Sequence, residues 1–215
     1  CMEVGDDYVA ELGQYVDLQD EPHIYFENRS RTNFIDYGVE NFELTEREVQ
    51  NELPAGKEET YTEIWNVFSH VFPKEHIEDI NQYRLFSDGE GNTSAYVSIT
   101  RADTVLAIDV RDNTHKASQY RNLIHEFGHI YSLPIEDFDA SCETTDIACI
   151  KEGTVLGDHK ERFWDKYDES WLENKNKSRP QIEGFYSNNV TDFYVPYQAT
   201  NVKEDYAITF MKFIT

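Results

Sequence analysis

The pattern His125-Glu126-Phe127-Gly128-His129 sets two imidazoles four residues apart, with a carboxylate beside the first. On an α-helix, positions four apart lie on one face, one turn above the other. Both rings can then hold a single ion at roughly 2.0–2.1 Å each, the bond length of zinc to imidazole. Glu126 points about 100° around the helix axis from His125, so it can reach a metal-bound water without ligating the metal. Zinc acidifies such a water towards neutrality, and a carboxylate placed there takes its proton as general base. The expected chemistry is metal-assisted hydrolysis. The competing reading is a surface helix with two solvated histidines.

Two histidines do not complete a zinc site. A metzincin would need Gly at position 132 and His at 135, where this chain has Ser132 and Ile135. An aspzincin would carry Gly-Thr-x-x-Asp, but after Gly153-Thr154 the aspartate, Asp158, comes one place late. The remaining common solution is a glutamate on a later helix. Glu204, in Asn201-Val202-Lys203-Glu204-Asp205-Tyr206-Ala207, opens such a helix. Asn201 and Glu204 also have the spacing of an N-terminal capping box, which would turn Glu204 back on its own backbone. Asp205 is the substitute if the register is off by one, and His159 comes next.

The motif needs a helix, and residues 114–132 have the pattern of one. Ala117, Tyr120, Ile124, Phe127 and Tyr131 build an apolar stripe. Both histidines fall off that stripe, so they are not core filler. Thr114 is a natural N-cap, and Leu133-Pro134 ends the helix. Gly128 costs the helix about 1 kcal/mol against Ala, which points to close packing on another backbone. Upstream, Tyr61, Ile64, Trp65, Phe68 and Phe72 recur at helical spacing over 58–72, and a short helix follows over 74–81. Strands are expected at 83–86, at 95–99 from the alternation of Ala95, Val97 and Ile99, and at 105–110, with a turn over 87–92. Residues 136–200 read as loops and short helices, and 201–213 as the last helix. Residues 22–56 show no assignable pattern and end in a break at Pro54-Ala55-Gly56.

The chain has 215 residues, enough for one domain with a real core. Residues 1–20 read as an acidic lead-in or tether, and 21–215 as a single domain. Asp and Glu number 42 against 19 Lys and Arg, a net charge of -23. Phosphate binding needs clustered basic residues, so nucleic acid is excluded as a partner. Adsorption to anionic lipid is disfavoured on the same ground. No apolar run approaches the roughly 20 residues of a membrane span. Cys1 at the start suits a lipoprotein cleavage site, which would make a lipid anchor at Cys1 the membrane contact and the cell surface or exterior the location. A cloning remnant explains the same residue. In an exported protein, Cys142 and Cys149 suit a small disulfide, with two separate thiols as the alternative.

With these features the chain resembles the gluzincin metallopeptidases, in particular the short-domain branch that includes the catalytic domain of anthrax lethal factor and bacterial zinc-binding lipoproteins. The resemblance rests on His125–His129 and on Asn201–Ala207, with Ala95-Tyr96-Val97 and Ala107-Ile108-Asp109 as the strand pair before the helix. It implies a peptidase acting on a peptide or protein, with zinc held by His125, His129 and Glu204. It also implies that Tyr197, seven residues before Glu204, donates a hydrogen bond in the transition state. The implied fold is α+β and zincin-like: a small twisted mixed sheet packed on the HExxH active-site helix, with a C-terminal helix carrying the third ligand. The cleft would lie between the edge strand and the motif helix. There are departures. Relatives of the thermolysin type carry Asp four residues after the ligand Glu, where this chain has Ile208, so no carboxylate is assigned to steady a ligand histidine. The 75 positions from His129 to Glu204 also make a long insertion. The alternative function is a catalytically inactive zincin-fold surface binding protein.

Overall fold

The computed structural model describes residues 31–53, 57–89, 91, 93–112, 116–172 and 177–215. The lead-in with Cys1, the break at 54–56, part of the 87–92 turn and the Thr114 cap lie outside the described residues. The fold is α+β. Five strands, β1 (Thr32–Glu40), β2 (Glu43–Val49), β3 (Gln82–Ser87), β4 (Ala95–Ile99) and β5 (Thr104–Asp109), form one sheet. Their order is β2-β1-β3-β5-β4. β3 and β5 run parallel, and the other neighbours antiparallel. The sheet is therefore mixed, and β4 is one of its two edges.

Six α-helices occur among the described residues: α1 (Lys57–Val71), α2 (Lys74–Ile77), α3 (Lys116–Ser132), α4 (Val155–Phe163), α5 (Arg179–Asn188) and α6 (Val202–Ile214). α1 buries Tyr61, Ile64, Trp65 and Phe68 against Leu85, Leu106 and Ile108 of the sheet. The Tyr61 hydroxyl donates to the Val110 carbonyl at the end of β5. The Tyr83 hydroxyl donates to the Tyr61 carbonyl at 2.7 Å, tying β3 to α1. Phe127 of α3 stacks on Phe72 with ring centroids 4.3 Å apart, which seats the motif helix on the same core.

β1 and β2 are absent from the sequence expectation, and their residues explain why. Phe34, Ile35, Asp36 and Tyr37 are all buried, so a charge interrupts what would otherwise read as an apolar run. Asp36 is satisfied across the sheet by Arg84, whose Nε and Nη2 donate at 2.7 and 2.8 Å. β2 is an edge strand that is mostly exposed and carries three glutamates and one arginine in seven residues, a pattern that blunts edge-to-edge association.

The segment between α3 and α6 holds the loops and short helices expected of it, and also a second core that was not expected. α4 and α5, with four short 3-10 turns, enclose a second apolar core built on Phe138, Leu156, Trp164, Phe185 and Phe193. Cys142 and Cys149 are joined in a disulfide, with Cys149 packed at the margin of this core. The near-motif at Gly153-Thr154 serves a local purpose: the Thr154 hydroxyl caps α4 by accepting from the Gly157 N–H at 3.2 Å.

Candidate metal centre

α3 is buried more completely than a single stripe requires. Leu123, Ile124, Phe127 and Ile130 face the core, while Tyr120 and Tyr131 lie at its margin. The histidines are off the apolar stripe, as their positions predict, yet they are not solvated: His129 is only 8% exposed. The reason is α6, which covers that face. A Cβ built on Gly128 would come within 3.1 Å of the Ala207 Cα, so glycine permits the two backbones to approach this closely. Gly128→Ala should leave global stability little changed, because better helix propensity offsets the clash. It should weaken zinc binding about tenfold by shifting the helix that carries Glu204. Competition with a chromophoric chelator reads this, and an unaltered affinity would show that the close approach does not set the site.

That approach brings Glu204 to the histidines. Asn201 caps α6, its Oδ1 accepting from the Lys203 and Glu204 N–H groups at 2.9 and 3.0 Å. Only half of the expected capping box is made, because the Glu204 carboxylate turns away from its own backbone. Glu204 Oε2 lies 3.1 Å from His125 Nε2 and 3.5 Å from His129 Nε2. The two Nε2 atoms are themselves 3.1 Å apart. Ligands of a tetrahedral ion with bonds of 2.0–2.1 Å stand roughly 3.3 Å from one another. These three donors therefore surround a point with the spacing that one zinc ion needs.

The polar bookkeeping around the donors agrees. Glu204 Oε2 sits at ion-pair distance from both rings but makes no well-directed hydrogen bond. Glu126 Oε2 and His129 Nδ1 are buried with no hydrogen-bond partner. Buried polar groups are ordinarily paired; an ion and its water would satisfy Glu204 Oε2 and Glu126 Oε2, whereas His129 Nδ1 points away from the other donors and would stay unpaired. His129 Nδ1 also shows that the outer carboxylate missing from the sequence pattern is missing in the structure: the position four after Glu204 is Ile208, which fills core.

Glu126 is 4% exposed and lies between α3 and β4. Burial pushes its carboxyl up to about 8, helped by the Glu204 charge and opposed by His125 and by a hydrogen bond from the Val97 N–H. Glu204 goes the other way. Burial would raise it, but the two histidines outweigh burial and hold it well below the usual carboxylate range. In metal-free protein the raised Glu126 has a definite consequence. The folded form keeps a proton that the unfolded form releases above its ordinary value of 4.5, so stability falls as pH rises from about 4.5 to about 8. Urea midpoints of chelator-treated protein across that window should decline, and Glu126→Gln should flatten the decline. An equal slope in both proteins would contradict it.

Tyr197 lies in the 3-10 turn Pro196–Thr200 just before α6. Its ring centroid is 6.3 Å from that of His125. The ring is largely exposed and stands beside the Glu204 carboxylate in the wall of the cleft. Burial of the hydroxyl and the charges of Glu204 and Glu126 hold its proton on, well above the usual phenol range. Asp205 and His159, the two substitutes for the third ligand, are drawn elsewhere. Asp205 accepts from His159 Nε2 at 2.7 Å, from Trp164 Nε1 at 2.6 Å and from Gln198 Nε2 at 2.5 Å. This network fastens the first turn of α6 to α4 and so helps to aim Glu204. Sequence reading missed it, since all three partners of Asp205 lie on other elements, 7 to 46 residues away.

The donors open into a cleft walled by Ala95 and Val97 of β4 and by Leu133, Thr145, Tyr197 and Lys203. His125, His129 and Glu204 form one of two groups among the described residues whose geometry could hold a metal ion. No protein-family model, no curated protein and no solved structure matches the chain.

Proposed function

We propose that this chain is a zinc-dependent peptidase with a zincin-like catalytic arrangement. The observation that carries the reading is the set of three donors, mutually 3.1–3.5 Å apart, with the buried Glu126 beside them and an edge strand along the cleft. His125, His129 and Glu204 would hold the ion, which when bound supplies a Lewis acid for water and for the scissile carbonyl. Glu126 takes the proton of the attacking water and returns it to the leaving amine nitrogen. Its burial excludes bulk solvent that would compete for that proton. The Tyr197 O–H, held in its protonated form, donates to the carbonyl oxygen as negative charge builds there. β4 offers backbone groups to an extended peptide, which is the way a free sheet edge binds one.

The donor set suits zinc, whose sites favour imidazole and carboxylate in fours with one position left open. The Cys142–Cys149 disulfide supports an oxidising, exported location. The test is direct. Protein dialysed against zinc should hold about one equivalent and cleave members of a mixed peptide library, and a chelator should stop the cleavage. Zinc-loaded protein that cleaves nothing in the library would overturn the peptidase reading, and would leave a zinc-holding binding protein in its place.

A further inference from the structure

Successive residues of a strand face opposite sides of the sheet. In β4, Ala95 and Val97 face the core and the metal cleft, while Tyr96 and Ser98 line a pocket on the sheet's other face. Arg31, Asn33, Arg84 and Val105 complete that pocket. Among the described residues its lining holds two arginines and no carboxylate, in a chain where acidic residues outnumber basic ones 42 to 19. The charge of Arg84 is spent on Asp36 through two hydrogen bonds. Arg31 is different. Its guanidinium carbon lies 4.2 Å from the Tyr96 ring centroid and 4.9 Å from that of Phe86. Among the described residues no carboxylate pairs with it. Contact with two rings tilted 62° to each other holds the guanidinium in place, and a guanidinium so held can grip a carboxylate in a fork. Asn33 Oδ1, in the same wall, is buried without a partner, and turning that amide over would present two more donors.

We propose that this pocket receives an acidic side chain of the peptide that lies along β4, so that the peptidase selects substrates with Asp or Glu there. The inference rests on the peptidase reading and adds a substrate class to it. In a strand added at the β4 edge, the residues opposite Tyr96 and Ser98 present their side chains on the same outer face. They are two residues apart, about 7 Å, and flank a residue whose side chain faces the cleft. The preference therefore falls on alternate positions around the cleaved bond. It also runs against the net charge of -23, which repels acidic peptides as a whole. A local pocket is needed to reverse that repulsion.

The experiment takes a neutral peptide cleaved by the zinc-loaded full chain and places Glu, then Lys, at each position in turn. Glu should exceed Lys in kcat/KM by about fivefold, the scale of one partly exposed charge pair, at one or both of two positions spaced two apart. Arg31→Glu should invert the ratio at those positions and nowhere else, and Arg31→Lys should keep its direction. A ratio unchanged by Arg31→Glu, or a preference for Lys in the wild type, overturns the inference while the peptidase reading stands. If no parent peptide is cleaved, the peptidase reading falls and this inference falls with it.

Discussion

Glu126→Gln should retain zinc at about one equivalent and lose peptide cleavage by about a thousandfold, within the range that a positioned general base contributes. Glutamine has nearly the same shape, so the close packing between α3 and β4 is kept. What it cannot do is take a proton. The carboxylate is too deeply buried for bulk water to substitute as base. The paired measurement matters: zinc content shows that the site is intact, and kcat/KM shows that the chemistry is gone. A variant that keeps more than a tenth of the wild-type rate would remove Glu126 from proton transfer.

Glu204→Ala should weaken zinc binding by about a hundredfold or more, since loss of an outer partner alone costs ten- to a hundredfold and Glu204 contributes a donor directly. The side chain is placed by three separate devices: the Asn201 cap, the Gly128–Ala207 backbone approach and the Asp205 network. None of them depends on the carboxylate, so the helix should stay where it is when the side chain is cut back. The loss then reports ligation rather than unfolding. Zinc should also raise the thermal midpoint of the wild type, by linkage to binding in the folded state, worth about 2.7 kcal/mol when free zinc is a hundred times Kd. Glu204→Ala should show little of that rise. Wild-type affinity and a wild-type shift in the variant would assign the third ligand elsewhere.

The pairing of His125 with His129 was legible from sequence because it depends on the pitch of one helix, and pitch is the same wherever the helix is placed. Gly128 was legible for a related reason. A residue that harms a helix and stands in its middle needs an outside cause, and Ala207 supplies it. β4 and β5 could be read from apolar spacing, since each buries at least one face against α1 or α3. Glu204 was only half legible. Its spacing from Asn201 fits either a capping box or a ligand, and the two uses separate only when another helix offers the carboxylate a better partner.

What the tertiary structure alone decided has a common physical basis. Asp205 and His159 were credible ligands from their position in the chain, but their destination depends on where Trp164 and Gln198 lie after folding. β1 was hidden because the charge of Asp36 is neutralised by Arg84, 48 residues away. Arg31 finds its place over two rings only when Phe86 and Tyr96 come together across the sheet. Local periodicity determines which residues share a face of one element. The partners of a buried charge are chosen by packing between elements, where a few ångströms of approach decide whether a side chain caps, bridges or ligates.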